Sequence, residues 1–258
     1  MKISAWLTAR LLPAGMALAL AASAIPAQAA DGYGTLKGTI KFDGAAPHLE
    51  PVVAKGKADV KDAAVCAAAP VPNEELVVNS ENNGIQNVFV YLKKATKIHP
   101  DLQKSAKPDV TFDQKGCRFL PHALVVRTDQ NVKVLSDDPI AHNTHTYPIR
   151  NKPANTVIKA DDRVGVPFAE PQSENLPFQV KCDFHSWMNA YWLVLDHPYA
   201  AVTDKDGNFT IEKLPAGDYE FVIWQEKAGY LDRKYKAKIT ADKTTTADLK
   251  YGAAKFMK

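Results

Sequence analysis

The chain has 258 residues, 46% of them hydrophobic and 24% charged. That balance is globular and excludes a collagen-like, cysteine-dense or disordered chain, while the length fits one or two domains. Its 32 Lys and Arg stand against 29 Asp and Glu, a margin too small to signal nucleic acid or an acidic membrane surface as a partner.

Residues 1–29 read as a secretory signal peptide. Lys2 and Arg10 supply the positive start, residues 11–24 are mostly Leu and Ala, and Ala27-Gln28-Ala29 fits the small-x-small cleavage pattern. A membrane anchor is the rival reading. The apolar run between Arg10 and Pro26 is short against the span of about 20 residues that a bilayer requires, and no charged stop follows it. The expected mature chain is almost neutral, has no membrane span and resides in a bacterial periplasm, where disulfides persist.

The rest predicts short strands, rich in β-branched and aromatic residues and bounded by turn signals. Residues 35–42 form the first, closed by Asp43-Gly44; residues 55–69, rich in Ala and Lys, are the best helix candidate; residues 88–92 form the next strand. Residues 97–108 are polar, with Pro100 and Pro108, and read as a connector. Residues 123–127 and 132–135 flank Thr128-Asp129-Gln130-Asn131 and predict a hairpin, whereas residues 149–171 are polar with long gaps between apolar positions. Residues 178–182 and 191–195 form a later pair. Residues 209–211 and 219–224 are separated by the turn-rich Leu214-Pro215-Ala216-Gly217. Residues 236–239 and 246–249 close the sequence, and the tail after Tyr251 is expected to be mobile. Many short strands with Gly and Pro turns predict an all-β fold of sandwiches.

The segment that carries chemistry is Cys182-Asp183-Phe184-His185-Ser186-Trp187-Met188. It places a thiolate, an imidazole and a thioether on one tight connection between two predicted strands. Two His and one Cys in a trigonal arrangement, with a weak axial Met, are the ligands of electron-transfer copper. Zinc is the competing metal, since Cys and His ligate it well; the Met argues against it. The second His is expected from Asp138-Pro139-Ile140-Ala141-His142-Asn143-Thr144-His145, which follows the strand ending near Leu135.

This pattern resembles the cupredoxin (blue copper) family, and the ligand loop is most similar to its amicyanin type, in which a His-Asn-x-His segment precedes a Cys-x-x-His-x-x-Met loop. The resemblance covers residues 109–197. It implies a Greek-key β-sandwich holding one type 1 copper ion on His142, Cys182, His185 and Met188. It also implies that Asn143 braces the ligand loops and that His145 is not a ligand. The chain departs from the family at Ser186, where many relatives have Pro, and at Lys181, which sets a charge beside Cys182.

Other residues have two readings. Cys66 and Cys117 read as a disulfide; the alternative joins Cys182 to one of them and destroys the copper site. The odd number of 3 Cys leaves one thiol unpaired either way. His145 and His122 are candidate extra ligands, with a surface position the commoner fate for His122. Phe184 and Trp187 either pack into the core or form an apolar rim where a redox partner docks on an exposed edge of His185.

Residues 202–209 and 214–219 resemble the carboxypeptidase regulatory-like (transthyretin-like) sandwich, whose earlier strands are similar to residues 38–40 and 88–91. The resemblance implies a small second β-sandwich built from residues 31–98 plus 198–251, with the cupredoxin inserted between; two consecutive domains are the competing arrangement. The expected function is a periplasmic one-electron carrier, not an enzyme, whose partner is a redox protein such as a dehydrogenase or a cytochrome c. Copper storage or delivery, and a non-redox cell-envelope interaction module, are the alternatives.

Overall fold

The computed structural model describes Met1 and residues 32–257. The expected signal peptide, residues 1–29, lies outside the described residues except for Met1. The strands are Tyr33–Asp43 (β1), Phe89–Leu92 (β2), Asp109–Gln114 (β3), Phe119–Leu120 (β4), Ala123–Arg127 (β5), Asn131–Val134 (β6), His142–Thr146 (β7) and Asn155–Ile158 (β8). They continue with Val166–Ala169 (β9), Phe178–Lys181 (β10), Asn189–Leu195 (β11), Ala200–Val202 (β12), Asn208–Pro215 (β13), Gly217–Gln225 (β14), Gly229–Ile239 (β15) and Thr244–Gly252 (β16). A short α-helix, Ala63–Cys66 (α1), lies between β1 and β2.

The fold is all-β, as the turn-punctuated strands predict, and its sheets form two sandwiches. In the first, β13-β1-β16 faces β12-β2-β14-β15. β1 buries alternate residues, among them Leu36, Ile40 and Phe42, because successive side chains point to opposite faces. They meet Val90, Phe221 and Ile223 in one core. Thr39 pairs with Asn208 on β13 and with Asp248 on β16. Val88 exchanges hydrogen bonds with Thr203, donating to its Oγ1 and accepting from its N–H at 2.9 Å each.

In the second sandwich, β4-β3-β6-β9 faces β5-β11-β10-β7-β8. Trp192 of β11 sits at its centre. Its ring meets Phe112 edge-on at 4.9 Å, with Phe178 at 6.0 Å and Phe168 at 6.1 Å. β11 is buried on both faces. Trp192 and Val194 enter this core, whereas Leu193 and Leu195 turn outward onto Phe89, Tyr91, Val222 and Trp224 of the first sandwich. The two sandwiches therefore share an apolar layer, and the sequence of β11 reads as a continuous apolar run rather than an alternation.

Several local expectations are corrected. The helix expected over residues 55–69 is confined to Ala63–Cys66, because Gly56 (φ 75°) and Asp62 (φ 53°) adopt left-handed backbone that interrupts it. Residues 123–127 and 131–134 form strands but no hairpin: β5 pairs in parallel with β11, and β6 pairs with β3 and β9. The turn between them crosses from one sheet to the other, so that Val126 and Val132 reach the same core. The polar stretch 149–171 contains β8 and β9. Each contributes one buried side chain, Ile158 or Phe168, too few to produce a periodic signal. The tail is tied down by Phe256, buried against Phe42 with ring centroids 5.5 Å apart.

After β9 lie two buried carboxylates, Glu170 and Glu174. Glu174 accepts the N–H groups of Arg150 and Asn151 and the Asn151 amide. Glu170 has no such support at Oε2, and burial, with the Glu174 charge, pushes it up from 4.5 to about 7. The unfolded chain releases this proton near 4.5 and the folded chain only near 7, so stability falls as pH rises through that window. Glu170→Gln is expected to remove the fall and to stabilise the protein at pH 8 by about 1–3 kcal/mol, measured by denaturant unfolding at pH 4.5 and pH 8.

Candidate metal centre

β10 pairs with β7 on one side and β11 on the other. His142 at the start of β7 and the connection from β10 to β11 therefore meet at one end of the sheet. That connection is a closed loop, in which the Met188 N–H donates to the His185 carbonyl (2.9 Å) and the Cys182 N–H to the Met188 carbonyl (3.3 Å). Cys182, His185 and Met188 all point inward. His142 and His185 are 0% exposed, and Cys182 and Met188 1%.

The ligand atoms of His142, Cys182 and His185 all lie within 4.8 Å of one another. The two Nδ1 atoms are 3.0 Å apart, and Cys182 Sγ is 3.7 Å from His185 Nδ1. Bonds of about 2.0 Å to nitrogen and about 2.3 Å to sulfur bridge these separations, so the donor set fits one first-row transition ion. A second grouping, Cys117, Asp138 and His142, offers no thiolate, because Cys117 is bonded to Cys66. Cys182 is the free cysteine.

Asn143 fastens the loop. Its Oδ1 accepts from the N–H groups of Asp183 (2.7 Å) and Phe184 (3.3 Å) and lies 3.3 Å from Cys182 Sγ, and its own N–H points at the same sulfur (3.5 Å). Its Nδ2 donates to Asn155 and Asp183. Burial alone would raise the Cys182 thiol. The imidazoles of His142 and His185 and the Asn143 N–H beside the sulfur outweigh it and bring the thiol down to about 6, which favours the thiolate that a metal binds.

Each imidazole turns its outer nitrogen to a carboxylate. His142 Nε2 is 2.9 Å from Asp138 Oδ2, and His185 Nε2 is 2.9 Å from Asp62 Oδ2. Asp138 also accepts the N–H groups of Gly116 and Cys117. Burial would raise its carboxyl, but the His142 hydrogen bond and those two N–H groups hold it below the ordinary range. A carboxylate on the outer nitrogen puts the proton on Nε2 and turns the Nδ1 lone pair toward a metal. Sequence reading missed both acids. Asp138 stands four residues before His142 and was open to detection; Asp62, 123 residues from His185, gave no local signal.

The expected exposed edge of His185 does not exist. Asp62 and the segment around α1 cover it, and the ring is fully buried. Trp187 is half-buried, 5.3 Å from the His185 ring, and packs on Val53, Ala67 and Val71. Phe184 lies beneath the Lys61 ammonium at 4.5 Å. His145 is outside the ligand group. It pairs with Asp183 at 3.0 Å and stacks on Tyr147. His122 is buried rather than on the surface, with Nε2 2.7 Å from Glu226 and Nδ1 3.7 Å from Glu74. Burial lowers this imidazole, but the Glu226 hydrogen bond and the charges of Glu226 and Glu74 outweigh it and hold His122 above its ordinary value.

Among known proteins, the family model of the SpaA prealbumin-like fold domain matches residues 193–252. No curated protein matches the chain. Solved structures similar to part of it include the copper-containing nitrite reductase of Thermus scotoductus SA-01, at 15% identity over 33% of this chain and 22% of that chain, with TM-score 0.30. This chain thus spans less than a quarter of that reductase. A purple cupredoxin from Nitrosopumilus maritimus is similar at 15% identity over 33% of this chain and 98% of that chain, TM-score 0.28. A reduced single-site variant of amicyanin is similar at 15% identity over 36% and 87%, TM-score 0.30. Among the described residues no helix is long and apolar enough to cross a membrane.

Proposed function

We propose that this protein is a periplasmic carrier of single electrons that holds one copper ion in a type 1 site. The observation that supports this reading best is the buried convergence of two imidazole Nδ1 atoms and one thiol sulfur. Bound copper supplies one-electron chemistry. Cys182 would be the strong thiolate donor and His142 and His185 the imidazole donors, with Met188 the thioether that would complete the set as a weak ligand. Asn143, Asp138 and Asp62 hold these donors in place, so that little rearrangement accompanies a change of oxidation state. We assign the centre no substrate chemistry. The partner is a redox protein, for which a dehydrogenase or a c-type cytochrome is the expected class.

We assign residues 109–197 to the copper-binding sandwich, inserted into a prealbumin-like sandwich of residues 31–98 plus 198–251. The second unit serves as a cell-envelope module, a role supported by the family match over residues 193–252. Copper storage or delivery is the second reading, favoured by the complete burial of His185. The test is to add Cu(II) to the purified protein and record its visible spectrum. An intense thiolate-to-copper band, lost in Cys182→Ala and altered in Met188→Leu, is expected. A colourless protein that binds only Cu(I) would favour delivery, and one that binds neither ion would leave the interaction module.

A further inference from the structure

The segment 51–76 forms a strap over the ligand loop. Val53 and Val71 bridge its two limbs, and Trp187 packs against them. The Arg118 guanidinium grips Glu74 through two hydrogen bonds, of 2.7 and 3.1 Å. Cys66 is bonded to Cys117. At the turn of the strap Asp62 adopts left-handed backbone (φ 53°, ψ 39°), a conformation that costs a non-glycine residue on the order of 1 kcal/mol. Its carbonyl accepts the N–H groups of Val65 and Cys66 at 2.9 Å each, and that geometry delivers its carboxylate to His185 Nε2.

The two outer carboxylates are mechanically joined. Asp62 caps the turn that ends at Cys66, the disulfide leads to Cys117, and the Cys117 N–H donates to Asp138 at 2.8 Å. Asp138 in turn holds His142. One covalent bridge therefore links the segments that carry the two outer carboxylates, although the residues concerned are far apart in sequence.

We propose that Asp62 is a positioning residue of the metal centre, the strap carrying a carboxylate that fixes His185 with Nδ1 inward. The proposal rests on the reading of His185 as a copper ligand. An ionised acceptor on Nε2 makes the imidazole a stronger donor and favours Cu(II) over Cu(I). Loss of such an outer partner typically costs 10- to 100-fold in metal affinity.

The test compares the wild type with Asp62→Asn, Asp62→Glu and Asp62→Ala. Asp62→Asn keeps the size and removes the charge. It is expected to lower Cu(II) affinity relative to Cu(I) by about 10- to 100-fold, which raises the reduction potential by about 60–120 mV. Asp62→Glu is expected to restore most of the difference. In the metal-free protein, nitrogen-detected NMR of His185 is expected to show a slowly exchanging Nε2 proton in the wild type and a fast-exchanging one in Asp62→Ala. A potential and an Nε2 signal that do not move, with the thiolate band intact, would overturn the role of Asp62 alone. Absence of the band in the wild type would overturn the copper reading, and the role of Asp62 with it.

Discussion

Replacing Trp192 with alanine is expected to destabilise the protein by about 3–5 kcal/mol. The residue is fully buried and is ringed by Phe112, Phe168 and Phe178, whose rigid side chains cannot collapse into the space it leaves. β11 pairs with β10 through Phe178↔Trp192 and Lys181↔Asn189, so the loss loosens the two strands that carry the ends of the ligand loop. The candidate ligands are untouched, yet metal affinity should fall with stability. Trp192→Phe should cost far less. It keeps an aromatic ring in place and removes an indole N–H that has no hydrogen-bond partner. Denaturant unfolding of the two variants measures the contrast, and equal losses would contradict the central role given to this ring.

The paired substitution Cys66→Ala and Cys117→Ala is expected to cost up to about 4 kcal/mol, the chain-entropy value for a closed loop of this size. The bridge spans 51 residues in sequence and is, among the described residues, the one covalent cross-link between the strap and the second sandwich. Its loss should act on the site as well as on stability. Without it, α1 and Asp62 are held by non-covalent contacts, among them Arg118–Glu74, the Asp62–His185 hydrogen bond and small apolar contacts. Faster metal exchange is therefore expected together with lower resistance to denaturant. Unchanged unfolding in the paired variant would contradict this view of the strap.

Much of the site is legible in sequence because its parts are local. Cys182, His185 and Met188 recur at steps of three residues on one connection, so a tight loop is enough to turn them to one point. His142 is legible as a strand-start histidine beside Asn143, and the odd cysteine count isolates Cys182 once Cys66 and Cys117 pair. The carboxylate partners are different in kind. Asp62 reaches His185 only because the strap folds back and a disulfide holds it there, and nothing near residue 62 in sequence encodes the contact. An expectation of an exposed His185 edge follows from the loop alone and fails because the cover comes from elsewhere in the chain.

The fold divides along the same line. β1 and β10 alternate between core and surface, and their strands are plain in the sequence. β8 and β9 are not, because each commits a single side chain to the core. The turn over residues 128–131 has hairpin composition, yet it joins strands of opposing sheets. Turn residues report that the chain reverses; they do not report whether the reversal stays within one sheet or crosses the core. In β11, burial on both faces replaces alternation with an unbroken apolar run, and that run marks where the two sandwiches meet.

The central claim is that His142, Cys182, His185 and Met188 hold a single copper ion. X-ray absorption of the protein loaded with one equivalent of Cu(II) tests it most directly. One short sulfur neighbour and two imidazoles are predicted, with the sulfur lost in Cys182→Ala. A copper shell of nitrogen and oxygen alone, identical in the wild type and in Cys182→Ala, would contradict it.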